Sequence, residues 1–135
     1  MKRIYLLSLF IFSIGCEDNI EKNDTNELLI VASEGNFGSS NGSLSIFKGK
    51  EKIQTIDDVG DVVQSITTYN NKLFVVVNNS HSIKVYTITE SGLKLPGIDI
   101  NTNNSSPREL IVHNNKAYFT NYNSQDVKVL DLETY

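Results

Sequence analysis

The side chains best suited to hold a ligand fall in three short polar stretches. Residues 34–42 (EGNFGSSNG) place Phe37, an aromatic face for a planar ligand, between Asn36 and Asn41, whose amides both donate and accept hydrogen bonds. Gly-rich loops of this length on a rigid scaffold often carry binding residues. The other reading gives Gly35 and Gly38 a purely backbone role and leaves Phe37 to cover neighbouring structure. The stretches 78–82 and 122–126 add Asn79, His81, Tyr122 and Asn123. Arg108 offers a guanidinium fork for an anionic group, or else a salt bridge to Glu109 or Asp61. Catalysis finds less support. Metal chemistry needs three or four converging donors, and the chain has two histidines, of which His113, beside Asn114, reads as structural. There is no G-x-S-x-G, no paired carboxylate and no nucleophile–base set. Asp57, Asp58 and Asp61 read as a solvated turn. The residues therefore point to binding, not to an enzyme, with no cofactor implied.

These stretches must be positioned by something, and the chain repeats itself to do it. Residues 63–88 (VQSITTYNNKLFVVVNNSHSIKVYTI) recur at 107–132 (PRELIVHNNKAYFTNYNSQDVKVLDL) without a gap. Asn70-Asn71-Lys72 falls on Asn114-Asn115-Lys116 at a spacing of 44 residues, Asn79-Ser80 on Asn123-Ser124, and Lys84-Val85 on Lys128-Val129. A period of about 40–45 with several strands per unit is the spacing of β-propeller blades.

Short runs rich in β-branched and aromatic residues predict strands throughout the chain after residue 26. The first unit holds strands at 28–33, 43–48 and 52–56; the second at 62–69, 72–78, 82–89 and 94–100; the third at 107–113, 116–122 and 126–132. Phe74-Val75-Val76-Val77 does not alternate, as befits a strand buried on both faces. The fold class expected is all-β, a propeller of four-stranded blades at about 27–57, 62–100 and 107–135. The loop 34–42 is about six residues longer than its counterparts at 78–82 and 122–126, and the repeat places all three on one rim. The first unit lacks a match for the innermost strand. The 110 residues from 26 to 135 make about two and a half units, whereas propellers have at least about four blades. The expectation is an N-terminal portion of a protein two to three times longer.

The beginning of the chain bears on location. Lys2-Arg3 precede an apolar run, Ile4 to Ile14, interrupted by Ser8 and Ser13, much shorter than the roughly 20 residues that span a bilayer. This reads as a signal peptide over residues 1–15. Ser13-Ile14-Gly15-Cys16 resembles the lipobox of bacterial lipoproteins, with Ser13 where Leu is usual. The resemblance implies cleavage after Gly15, a lipid on Cys16 and a membrane partner through that anchor. Residues 16–26, polar and acidic, read as a tether, and Glu17-Asp18 resembles a surface-export signal of some Gram-negative lineages. Loss of Lys2 and Arg3 takes the basic count from 12 to 10 against 16 acidic residues, a net charge of −6. Nucleic acid is excluded as a favoured partner on that ground.

The pattern at 115–132, NKAYFTNYNSQDVKVLDL, resembles the YVTN-type β-propeller repeat. Ser33-Glu34-Gly35-Asn36-Phe37-Gly38 and Asn41-Gly42-Ser43-Leu44-Ser45 resemble the opening blade of a family of surface lipoprotein propellers. Ser106-Pro107-Arg108 also fits that family, although Gln64 stands where a second Arg would repeat it. The resemblance covers residues 26 to 135. It implies an outer-membrane lipoprotein that captures a ligand or a protein, with a corrinoid delivered to an outer-membrane transporter as the most specific candidate, since some members bind cobalamin. Related propellers include lactonase-like and quinoprotein-like enzymes, so an enzyme with its site in further blades stays open, as does a structural adhesin.

Overall fold

The computed structural model describes residues 27–135; the signal peptide, Cys16 and the tether read from the sequence lie outside the described residues. Those residues are all-β and form ten strands, with no helix among them. The first sheet holds β1 (Leu28–Ser33), β2 (Gly42–Lys48) and β3 (Glu51–Gly60) in the order β1-β2-β3. The central sheet holds β4 (Val63–Tyr69), β5 (Lys72–Val77), β6 (Ser82–Thr89) and β7 (Gly92–Asn101), in chain order. The third holds β8 (Pro107–His113), β9 (Lys116–Asn121) and β10 (Lys128–Asp131), ordered β10-β9-β8. All pairings are antiparallel between strands consecutive in sequence.

The 44-residue period is exact at the level of the backbone. Strands β4 and β5, moved by 44, land on β8 and β9 end to end. Asn70 and Asn71 have φ of 45° and 57°, Asn114 and Asn115 of 48° and 55°, because an Asn-Asn turn needs two left-handed residues and Asn tolerates them. The amide of Ile88 donates to Asn71 C=O (2.7 Å) as that of Leu132 does to Asn115 C=O (3.0 Å). The first unit differs in its loop. Ser33 pairs with Ser43 across nine residues, where Val77 pairs with Ser82 across four, so the insertion is five residues long, one fewer than the sequence suggested.

The sheets stack face to face in chain order, and the alternation along β5 shows how. Leu73, Val75 and Val77 turn toward the first sheet, packing with Leu44 and Ile46; Phe74 and Val76 turn toward the third, packing with Leu110, Ala117 and Phe119. All five β5 side chains are buried, which is why this strand reads as an unbroken apolar run. Full burial of each contributes roughly 1.5–3 kcal/mol. The outward faces of the stack are different. Leu29 and Val31 on β1, and Ile111 and Val129 on the third sheet, remain exposed. Yet Leu29 and Val31 are the 44-residue equivalents of the buried Leu73 and Val75, and Val129 that of the buried Val85.

Two strands depart from expectation for local reasons. Strand β3 runs on to Gly60, taking in Asp57 and Asp58, because Gly60 still pairs with Gly42 after a shift in register. Strand β10 stops short of the expected 126–132 because, unlike β6, it has a neighbour on one side only among the described residues.

Candidate functional rim

The pairings Ser33↔Ser43, Val63↔Val77, Val77↔Ser82 and Pro107↔Asn121 fix one common end of the three sheets. At this end β1 turns into β2, β5 into β6 and β9 toward β10, while β4 and β8 begin. Asn36, Phe37, Asn41, His81, Arg108 and Tyr122 therefore all lie at the same rim.

Their surroundings separate them into two kinds. Phe37 is 80% exposed and Tyr122 75%, so neither ring is used to cover a neighbour. Arg108 is exposed at the start of β8, and among the described residues it forms no ion pair with Glu109 or Asp61. These three side chains are available to a ligand. Asn41 is engaged instead: its Oδ1 accepts the Asn36 amide (2.7 Å), and the Ser39 amide donates to Asn36 C=O (3.0 Å), so the two asparagines fold the loop on itself. Gly35, at φ +82°, is held so close that a Cβ there would stand 2.6 Å from the Gly42 nitrogen. Its backbone role is real.

His81 is engaged as well. Its Nδ1 accepts the Ser106 amide (3.2 Å) and lies 3.1 Å from Ser106 Oγ, while its carbonyl receives the Thr102 amide and hydroxyl, both at 2.8 Å. An Nδ1 that accepts an amide proton places the neutral ring's own proton on Nε2. His81 thus ties the central sheet to the connector into the third and is a brace, not a free ligand group.

The residue that organises the rim is one the sequence reading left in a solvated turn. Asp61 is 7% exposed. Its carboxylate accepts the Gly38 amide with both oxygens (2.9 and 3.0 Å) and the Asn79 side-chain amide (2.5 Å). Its own amide donates to Ser80 Oγ (2.8 Å), and its carbonyl accepts the Asn79 amide (3.1 Å). Hydrogen bonds to an ionised acceptor are about twice as strong as neutral ones, so Asp61 pins the long loop of the first unit to the short loop of the second and holds Phe37 outward. The next connector repeats the backbone part. The Asn123 amide bonds Ser105 C=O (3.0 Å), and Asn123 Nδ2 bonds Ser106 Oγ (3.0 Å). The visible signal was the recurrence of Asn79 as Asn123, with a small polar residue 18 positions before each.

Two pockets of the stack lie away from the rim loops. One, of about 350 Å³, is lined by Lys84, Tyr86 and the β7 residues 95–99. Lys84 Nζ pairs with Asp99 at 2.5 Å, and burial, with Asp99 nearby, pushes the Tyr86 hydroxyl above its ordinary pKa. Among the described residues no group of three or more His, Cys, Asp or Glu gathers to hold a metal ion. Compared with known proteins, the chain matches no protein-family model and no curated protein.

Proposed function

We propose that the chain forms blades of a β-propeller and works as a lipid-anchored binding module of the cell envelope, taking a ligand on the rim that carries Phe37, Arg108 and Tyr122. Three successive antiparallel sheets, stacked face to face with the central one buried on both sides, support the propeller over a two-sheet sandwich, whose outer faces would be wet. The observation that carries the binding role is the rim itself: two large aromatic rings 80% and 75% exposed, beside an exposed arginine, on loops braced from beneath by Asp61 and His81. Exposed rings held by a rigid support lose little entropy when a planar ligand stacks on them. A corrinoid, broad, flat and bearing a phosphate for Arg108, is the ligand class that the family resemblance suggests. Capture at the envelope would then precede delivery to an outer-membrane transporter, with the anchor at Cys16 keeping the module near it.

The test is a titration of the chain with cyanocobalamin followed by visible absorbance, repeated with Phe37→Ala and Tyr122→Ala. Saturable binding weakened about tenfold by each substitution is expected, each lost ring costing roughly the 1–3 kcal/mol of an aromatic stacking contact. Absence of binding, or binding indifferent to both substitutions, would remove this reading of the rim.

A further inference from the structure

At the junction of the central and third sheets, β4 lies in a channel between β5 and β8. Ser65, Ile66 and Thr67 pair with Val76, Val75 and Phe74 of β5. On the other side Ser65 Oγ donates to Arg108 C=O (2.8 Å) and Thr67 Oγ1 to Leu110 C=O (2.9 Å). One strand thus satisfies two neighbours, by main chain on one side and by hydroxyls two residues apart on the other.

The same channel exists 44 residues earlier. A groove of about 470 Å³ runs between residues 30–32 of β1 and 63–66 of β4. Each wall corresponds by the repeat to a wall that β4 touches: 30–32 to 74–76, and Gln64 and Ile66 to Arg108 and Leu110. Strand β1 is an edge strand whose one partner among the described residues is β2. Its main-chain groups toward the groove, and the carbonyls of Gln64 and Ile66, are thus the counterparts of groups that β4 satisfies in the next junction.

We infer that this groove takes an extended strand of another polypeptide, antiparallel to β1, carrying an apolar residue flanked by two hydroxyl residues in the manner of Ser65-Ile66-Thr67. The main chain of the incoming strand extends the first sheet, as in strand addition generally. Its two hydroxyls reach Gln64 C=O and Ile66 C=O, and the apolar side chain between them joins the core formed by Ile30, Ala32 and Val63. The chain's own upstream residues do not suit the place. In the 44-residue register Glu21 and Asn23 would replace the hydroxyls and Lys22 the apolar residue. A carboxylate has no proton to give a carbonyl, and a buried ammonium there would be unpaired. The inference rests on the repeat and is independent of any ligand at the rim.

The experiment adds a fluorescent peptide of sequence VQSITTY to the full 135-residue chain and follows anisotropy, with amide hydrogen exchange read in parallel. Saturable binding is expected, with added protection at residues 28–33. The same peptide carrying Ser65→Ala and Thr67→Ala should bind about 30-fold more weakly, since each net hydrogen bond is worth about a factor of five. No binding, equal binding of the two peptides, or protection at 128–131 in place of 28–33 would overturn the proposal. Binding that emerges only after removal of residues 1–26 would assign the groove to the chain's own upstream segment and overturn it too.

Discussion

The two junctions between sheets have the same backbone and different fastenings. In both, the loop after the second strand of the repeat bonds the connector that opens the next inner strand: Asn78 and Asn79 amides to Val62 and Asp61 carbonyls, Tyr122 and Asn123 amides to Ser106 and Ser105 carbonyls, all between 2.8 and 3.1 Å. In the first junction a buried carboxylate, Asp61, reaches across to the preceding loop; in the second a neutral ring, His81, receives the connector. The difference follows from the loops. A nine-residue loop leaves a main-chain amide at Gly38 that needs an acceptor, whereas a four-residue turn brings its own side chain, His81, into place. Main-chain geometry is the repeated part, and side chains adapt to whichever loop is attached.

Three substitutions test that comparison. The largest effect is expected from Phe74→Ala, since Phe74 is fully buried between the central and third sheets; a loss of about 3–5 kcal/mol is anticipated. Phe119, facing it from a three-stranded sheet, should cost less when truncated, and urea denaturation of both variants measures the gap. Equal losses would mean that the central sheet is not the keystone of the stack.

Next comes the fastening itself. Asp61→Ala strips the acceptor from the Gly38 amide and the Asn79 side chain and should destabilise by about 1–3 kcal/mol. It should also open residues 34–42 to limited proteolysis. Ser106→Ala removes a hydroxyl near His81 but keeps the amide that the ring accepts, so a smaller loss of about 0.5–1.5 kcal/mol is expected, with the loop still protected. Protease sensitivity in the Ser106 variant and not in the Asp61 variant would reverse the assignment of the two braces.

The smallest effect is a dependence on alkaline pH. Burial, and then the nearby Asp99, raise the Tyr86 pKa. The stabilisation from keeping this phenol neutral is complete below the unfolded value near 10 and is lost as pH rises past it through the folded value. Stability measured from pH 9 to 11 should fall more steeply in the native chain than in Tyr86→Phe. Parallel curves would show that Tyr86 ionises as freely folded as unfolded.

Much of this was legible in the sequence because it is locally encoded. The Asn-Asn turns, the β-branched runs and the 44-residue spacing located β4, β5, β8 and β9 to within a residue or two, since turn chemistry and strand pattern depend on neighbours in sequence. Phe37, Tyr122 and Arg108 could likewise be assigned to one rim from the repeat alone. The tertiary structure decided what each side chain does there. Asp57, Asp58 and Asp61 look alike in sequence, yet two stay in water and one is buried, because only Asp61 meets a loop 23 residues upstream. His81 became a brace because Ser106, 25 residues on, brings an amide to its Nδ1. Partners at such separations leave no local trace, so composition and spacing determined where the strands run, and packing alone determined which polar groups are spent on holding them together.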